Sequence, residues 1–203
     1  MTDYERHLFK TIHWSSVEDN ALFHEFTCLL PKRDPGMPYH SGPQNISRFA
    51  DMVSVMDPSL VVEIGFNLGH SAAIMLGLGV ETVISIQPDM NEKTKQAIDT
   101  LAPAYGDRFR FVLGDSTGTA HLLPQPDILF IDGDHSYEWV MKDIALGREL
   151  RAHAFFLDDY DSHHGPGVIK AVEDSGLVVR ALFGTMALCG TREGLALRHD
   201  PEA

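Results

Sequence analysis

The chain has 203 residues, of which 44% are hydrophobic, and it carries a formal net charge of −13 at pH 7. This length suits one domain with a sizeable core, and no apolar run approaches the ~20 residues that a membrane span needs. The negative charge argues against nucleic-acid partners, because phosphate binding needs clustered Lys and Arg. Two cysteines do not suggest a disulfide framework, and the N-terminal MTDYERHLFK lacks the apolar segment of a signal peptide, so we expect a cytoplasmic protein.

The first third of the chain is predicted to be helical. Apolar side chains recur at helical spacing over residues 3–30, where Pro31 ends the pattern. A loop rich in proline and glycine follows, and a further helix is predicted over residues 44–56. We interpret residues 1–45 as an N-terminal helical extension that serves as a lid or an oligomer contact, and residues 46–203 as the main domain.

Short apolar runs in the main domain predict strands, which we place at residues 60–64, 82–86, 109–113, 128–131, 154–157, 177–183 and 186–191. Helices are predicted between them at residues 71–78, 91–101, 117–122, 137–150 and 167–175. This alternation predicts an α/β fold: a Rossmann-like, doubly wound sheet of about seven strands, mainly parallel, with helices on both faces. The connection at Gly184-Thr185 is too short for a parallel crossover, so one strand near the C-terminus must be antiparallel.

The fourth predicted strand, 128–131, breaks abruptly into Asp132-Gly133-Asp134-His135. A short, fully apolar run indicates a buried parallel strand, and ligands bind beyond the carboxyl ends of such strands. The plainer interpretation is a polar loop whose aspartate caps the next helix. Two other strands also end in acidic residues, in Gly114-Asp115-Ser116 and in Asp158-Asp159, and this repetition favours a functional site.

The loop after the first strand, residues 63–71, reads EIGFNLGHS. Its glycines have the spacing GxxxG and let the backbone approach a ligand closely. A dinucleotide site needs GxGxxG, so NAD is a poor match, and the phosphate-loop pattern is also absent. The loop by itself is a weak signal, since glycines end many strands.

Read together, residues 63–71, 114–116, 131–137 and 157–160 resemble the class I S-adenosylmethionine-dependent methyltransferases. Within that class they are most similar to metal-dependent small-molecule O-methyltransferases: the macrocin and mycinamicin sugar O-methyltransferases and, more distantly, catechol O-methyltransferase. The resemblance covers roughly residues 45–190. It implies that S-adenosyl-L-methionine is held by Glu63, Gly65, Phe66, Gly69, Ser71, Gln87, Asp115, Ser116 and Asp132.

Gln87 departs from the family pattern. The family usually has Asp or Glu at the end of the second strand, where the carboxylate accepts two hydrogen bonds from the ribose diol. A glutamine offers one carbonyl acceptor and no charge assistance, although Asp89 could substitute. Asp115 also has a second interpretation, as the N-cap of a short helix.

The acidic strand ends suggest a metal. Clustered carboxylates repel one another unless a cation neutralises them, and Mg²⁺, Mn²⁺ and Ca²⁺ prefer oxygen ligands. The resemblance implies that Asp132, Asp158 and Asp159 hold a divalent cation, which we expect to be Mg²⁺. The alternative is that Asp158 or Asp159 only caps a helix or faces solvent.

His135 is the candidate catalytic base. It follows Asp132 by three residues, and an unperturbed pKa of about 6.5 suits proton removal near neutral pH. In the resembling sugar O-methyltransferases a histidine at this spacing is proposed as the base. The alternative is a histidine that only hydrogen-bonds a loop. For His163 and His164, in the loop after the fifth strand, we favour surface positions over metal or substrate contact.

The main hypothesis is an S-adenosylmethionine-dependent, divalent-metal-dependent O-methyltransferase that acts on a small hydroxylated molecule. We expect no nucleic-acid or membrane partner, and the N-terminal helices could mediate homo-oligomer contacts. Two alternatives stay open. One is a non-catalytic or repurposed member of the fold that binds a nucleoside or a metal, as Gln87 suggests. The other is a metal-independent methyltransferase that acts on nitrogen or on a protein.

Overall fold

The computed structural model describes residues 44–191. The predicted helix at residues 3–30 and the tail from residue 192 lie outside these residues, as does all but the last two residues of the predicted extension 1–45. In the part that is described, no helix is both long and apolar enough to cross a membrane.

The predicted strands are all present. They are β1 (Leu60–Ile64), β2 (Thr82–Gln87), β3 (Phe109–Leu113), β4 (Ile128–Ile131), β5 (Ala154–Leu157), β6 (Val178–Phe183) and β7 (Met186–Gly190). They form one sheet in the order β3-β2-β1-β4-β5-β7-β6. Strands β1 to β5 are parallel, and β7 runs antiparallel to both of its neighbours. The prediction of a mainly parallel sheet with one antiparallel strand near the C-terminus is confirmed.

The helices that accompany this sheet are α1 (Gln44–Met56), α2 (His70–Gly77), α3 (Glu92–Tyr105), α4 (Tyr137–Glu149) and α5 (Pro166–Ser175). Asn91 caps α3, because its side chain accepts a hydrogen bond from the backbone N–H of Thr94 at 3.0 Å. The helix predicted at 117–122 is wrong, since only a 3₁₀ turn at Ala120–Leu122 forms there. Thr119 instead donates its hydroxyl to the Asp115 carbonyl at 2.8 Å, and such local hydrogen bonds compete with a helix.

Helices cover both faces of the sheet and bury its inner strands β4 and β5 completely. All four residues of β4 and all four of β5 are buried. Side chains alternate along a strand, so Phe130 and Phe156 pack on Phe49 of α1 with ring centroids 5.2 and 6.0 Å away. Leu129 and Phe155 belong to the second core cluster, which includes residues of α4 and α5. This two-sided burial explains why the strand sequences show no polar alternation.

Backbone hydrogen bonds continue past the ends of the parallel strands and fix the residues that follow them. Each of these N–H groups donates to a carbonyl of an adjacent strand: Gly65 to Ile86 (3.0 Å), Gly114 to Gln87 (2.8 Å), Asp132 to Ile64 (2.9 Å) and Asp158 to Ile131 (3.0 Å). The first residues beyond β1, β3, β4 and β5 therefore stand together at one edge of the sheet, where ligands bind in this class of fold.

Candidate active site

A cavity of about 620 Å³ opens beyond the carboxyl ends of β1 to β4. Among the residues predicted to hold the cofactor, those that line it are Gly65, Gln87, Asp115, Ser116 and Asp132. Pockets for small molecules and cofactors commonly measure about 300–1,000 Å³, so this cavity has the size of a cofactor site.

Gly65 lets the β1 loop cross the tip of β4. Its φ is +100°, and a Cβ at this position would lie 2.0 Å from the carbonyl oxygen of Asp132. A larger residue would therefore meet both backbone strain and a steric clash. This contact sets the distance between the two loops that form the middle of the cavity.

Glu63 lies behind the loop and does not line the cavity. Its side chain is fully buried, and its two oxygens accept hydrogen bonds from the hydroxyls of Ser71 on α2 and Ser85 on β2. Burial raises the pKa of Glu63 to about 7, against the lowering effect of the two hydroxyls. In this arrangement Glu63 and Ser71 tie β1, β2 and the start of α2 together beneath the loop.

Phe66 and Gly69 also do not line the cavity. Phe66 is 1% exposed, and its ring lies 5.6 and 5.3 Å from the rings of Phe109 and Phe111. Gly69 has φ +76°, and a Cβ there would lie 2.8 Å from the Phe66 ring. The second half of the loop is therefore anchored in the core, and its role in the structure is to shape the part that faces the cavity.

Gln87 lines the cavity with both of its polar groups engaged. Its Oε1 accepts from the backbone N–H of Asn67 at 3.2 Å, and its Nε2 donates to Asp89 Oδ1 at 2.7 Å. Asp89, the predicted substitute for the family carboxylate, is exposed and is held by this contact. Gln87 thus lines the cavity and orients the carboxylate of Asp89, two residues further along the chain.

Asp115 and Ser116 form the wall at the tip of β3. Asp115 Oδ1 accepts from the backbone N–H and the hydroxyl of Thr117 at 2.8 and 2.5 Å, and these contacts lower its pKa. This is a turn within the loop, so the interpretation of Asp115 as a helix cap is wrong. Ser116 is 4% exposed, and its Oγ has no hydrogen-bond partner among residues 44–191.

Two further cavity residues, Trp139 and Asp143, were missed by the sequence reasoning. They lie four residues apart on α4, which places them on one face of the helix. Asp143 is only 2% exposed, and burial raises its pKa to about 6. The Ser116 hydroxyl is near enough to oppose that rise, but it does not have the geometry of a hydrogen bond to Asp143. Nothing in the sequence around Asp143 distinguishes it from an acidic residue on the exposed face of a helix.

His135 lies between two of the predicted metal ligands. Its Nδ1 is 3.1 Å from Asp159 Oδ2, and its Nε2 is 3.7 Å from Asp132 Oδ1. Contacts with Asp132 and with Asp159 raise the pKa of His135 to about 10, and the contact with Asp132 has the larger effect. The two carboxylates therefore favour the protonated form of the His135 ring.

The three predicted metal ligands are placed unequally. Burial raises the pKa values of Asp132 and Asp158, and the charge of Asp158 adds to the rise at Asp132. Asp159 has φ +51° and makes its contact with His135, so the imidazole stands between it and Asp132. As oxygen donors, these carboxylates suit a hard divalent cation in type. In this arrangement, however, the donor atoms of the three do not all lie within 4.8 Å of one another.

Another group of potential ligands lies in the loop after β5. Donor atoms of Asp159, Asp161 and His164 are all within 4.8 Å of one another. Asp161 Oδ1 also accepts from the backbone N–H groups of His163 and His164, at 2.8 Å each, and the two imidazole rings are nearly perpendicular at 85°. These contacts show Asp161 as the acceptor that organises the loop, and we assign no metal to the group.

Comparison with known proteins shows what this chain is similar to. Residues 62–159 match the family model of a methyltransferase domain. No curated protein sequence matches the chain.

Solved structures match at low identity and therefore bear on the fold. An S-adenosylhomocysteine-bound methyltransferase of Podospora anserina, PaMTH1, is 16% identical with a TM-score of 0.60 over 93% of this chain and 94% of its own. An O-methyltransferase of Bacillus cereus with S-adenosylhomocysteine is 13% identical, with a TM-score of 0.60 over 94% and 98%. The O-methyltransferase TomG of Streptomyces achromogenes, with S-adenosylmethionine, is 14% identical, with a TM-score of 0.58 over 93% and 95%. Residues 62–159 thus match a methyltransferase domain, and the fold is that of the class I, S-adenosylmethionine-dependent methyltransferases.

Proposed function

We propose that this methyltransferase is an O-methyltransferase that uses S-adenosylmethionine and a divalent cation to methylate a small hydroxylated molecule. The observation that carries the proposal is the position of the cavity. It lies beyond the strand ends and shares Asp132 with the array Asp132, His135 and Asp159, so a cofactor in the cavity adjoins groups that can handle a proton.

The residues of the cavity fit the cofactor. Ser116 offers a buried hydroxyl without a partner among the described residues, and a buried polar group of this kind is satisfied by a polar ligand. Carboxylates of Asp115, Asp132, Asp134 and Asp143 line the walls and complement a ligand that carries an amine and a positive sulfur. When bound, S-adenosylmethionine supplies a methyl group that its sulfonium already activates, so the protein mainly positions and deprotonates the acceptor.

His135 is the group that we propose accepts the proton of the substrate hydroxyl. It is 3.1 Å from Asp159 Oδ2, a contact that fixes the orientation of the ring and favours the imidazolium formed during the reaction. Because Asp132 and Asp159 raise the pKa of His135, the ring becomes a better base when their charge is offset. Asp132, Asp158 and Asp159 are the residues that would hold a divalent cation, which supplies this neutralisation and Lewis acidity.

A small substrate is supported by two observations. The net charge of −13 opposes binding of a polyanion. In addition, one structural neighbour, TomG, is involved in tomaymycin synthesis. Both point to a small molecule, and the carboxylates around His135 favour one with a hydroxyl near a second oxygen, which could share the cation.

Replacement of His135 tests the proposed base. His135→Ala should lower the rate of methyl transfer to a catechol or sugar hydroxyl by about 100-fold or more, which is the usual contribution of a general base, while S-adenosylhomocysteine affinity by calorimetry stays within about threefold. His121→Ala is the matched control, because His121 is exposed on the 3₁₀ turn at Ala120–Leu122. An unchanged rate in His135→Ala would remove this residue as the base.

One observation favours a second candidate, a methyltransferase fold that binds a nucleoside or a metal without transferring a methyl group. Gln87 stands where the family has a carboxylate, and its amide is engaged by Asn67 and Asp89. Calorimetry with S-adenosylmethionine and S-adenosylhomocysteine separates the two functions. Binding of neither compound would favour the second candidate, whereas binding of both with turnover would exclude it.

A further inference from the structure

We propose that Asp143, with Ser116 beside it, is the specificity-determining residue that recognises the 6-amino group of the cofactor's adenine. This inference rests on the proposed function, because it assumes that the cavity binds S-adenosylmethionine. It assigns a role to a carboxylate on α4 that follows neither from the strand-end motifs nor from the family model.

The position of Asp143 on α4, beside Ser116, defines which part of the ligand it meets. His135 contacts Asp132 and Asp159, at the tips of β4 and β5, so the reacting end of the ligand must lie on that side. Ser116 follows β3, on the other side of β1 in the strand order β3-β2-β1-β4-β5. The nucleoside base, which is the end of the cofactor remote from the reaction, therefore belongs near Ser116 and the α4 residue beside it.

Burial makes the polar groups at this end selective. Asp143 is 2% exposed and Ser116 is 4% exposed, and both line the cavity. Within residues 44–191, the Ser116 hydroxyl has no hydrogen-bond partner. An ionised carboxylate can only accept hydrogen bonds, so a base that presents an amino group satisfies Asp143. A base with a carbonyl at the same position would leave two acceptors facing each other in a buried site, which is costly.

Neighbouring side chains adapt the site to a flat base. Trp139 lies one helical turn before Asp143 and also lines the cavity, and an aromatic ring offers a stacking surface for a planar base. The ammonium of Lys142 lies 3.7 Å from the centroid of the Trp139 ring. Its charge lowers the pKa of Asp143, in opposition to the raising effects of burial and of Asp134 and Asp115. Lys142 therefore helps to keep the acceptor ionised.

The test compares two ligands that differ at one position of the base. S-adenosyl-L-homocysteine carries the 6-amino group, and S-inosyl-L-homocysteine carries a 6-oxo group in its place. In calorimetry on the full chain, the inosyl compound should bind at least about tenfold more weakly than S-adenosyl-L-homocysteine, since a hydrogen bond to a charged group contributes about 1.5–3 kcal/mol. In Asp143→Asn the side-chain amide can donate to the 6-oxo group, so the preference should fall to within about threefold or reverse.

Controls separate this inference from folding and from the proposed function. Asp99→Asn, on the exposed side of α3, should keep the wild-type preference. If circular dichroism shows that Asp143→Asn does not fold, two other measurements still test the inference. The wild type should prefer the adenosyl compound to the inosyl compound, and this preference should be smaller in Ser116→Ala. Equal affinity of the wild type for both ligands, or an unchanged preference in folded Asp143→Asn, would overturn the role of Asp143 alone. Binding of neither ligand to the wild type would overturn the proposed function, and with it the inference.

Discussion

The buried carboxyl of Glu63 should make the stability of this domain depend on pH in a defined direction. Its side chain is fully buried between the hydroxyls of Ser71 and Ser85, and burial raises its pKa from 4.5 to about 7. The folded state therefore holds this proton more tightly than the unfolded chain. The stabilisation is fully present below pH 4.5 and is lost as the pH rises through about 7.

The magnitude follows from the size of the rise. A change from 4.5 to about 7 corresponds to about 3 kcal/mol, since each pKa unit is equivalent to about 1.4 kcal/mol. Glu63→Gln has nearly the same shape and no titrating proton. The free energy of unfolding of the wild type should thus fall by about 3 kcal/mol relative to Glu63→Gln between pH 4.5 and pH 7.5.

Urea unfolding followed by circular dichroism, at several pH values across this window, measures the difference. Other titrating groups, including Asp143, occur in both proteins and cancel in the comparison when they are independent of Glu63. Glu81→Gln is the matched control, because Glu81 is exposed, and its difference from the wild type should stay constant. A constant difference between the wild type and Glu63→Gln, within about 0.5 kcal/mol, would refute the argument that burial holds the proton.

Two further predictions concern the loops that shape the cavity. Gly65→Ala should lower the free energy of unfolding by about 3 kcal/mol or more, because Gly65 has φ +100° and a Cβ there would lie 2.0 Å from the Asp132 carbonyl oxygen. Gly79→Ala is the matched control, because Gly79 has φ +102° but open space around it. This control should lower the free energy of unfolding by only about 1–2 kcal/mol. Equal losses in urea unfolding would contradict the steric argument. Asp89→Asn should weaken S-adenosylhomocysteine binding by about threefold to tenfold in calorimetry, since Gln87, which lines the cavity, orients this carboxylate; undiminished affinity would show that Asp89 does not replace the family carboxylate.

The fold could be predicted from sequence because its signals are local. The apolar runs of β4 and β5 begin and end at the predicted residues, since strands buried on both faces leave unbroken hydrophobic segments. The short connection at Gly184-Thr185 was enough to identify an antiparallel strand, which is β7. The helix predicted at residues 117–122 does not form, because the Asp115 side chain accepts hydrogen bonds from the backbone N–H and the hydroxyl of Thr117.

The site could be predicted only in part, because its properties arise from contacts between distant residues. The strand-end positions of Gln87, Ser116 and Asp132 follow from the topology of the sheet, and all three line the cavity. The raised pKa of His135 does not, since it depends on contacts with Asp132 and with Asp159, and the loop after β5 sets the position of Asp159. A pattern of residue types also cannot tell whether an acidic residue on a helix, such as Asp143, faces solvent or a cavity.

The most direct test of the central claim is a methyl-transfer assay with a controlled metal content. Protein stripped with a chelator is incubated with methyl-labelled S-adenosylmethionine and a panel of catechols, phenols, hydroxylated sugars and amines, with and without Mg²⁺, and the products are identified by mass spectrometry. We expect labelled methyl ethers that form only with Mg²⁺. In Asp158→Asn, most turnover should be lost, and the turnover that remains should no longer depend on Mg²⁺. Labelled N-methyl products, or methyl ethers that form equally well in chelator, would contradict a metal-dependent O-methyltransferase.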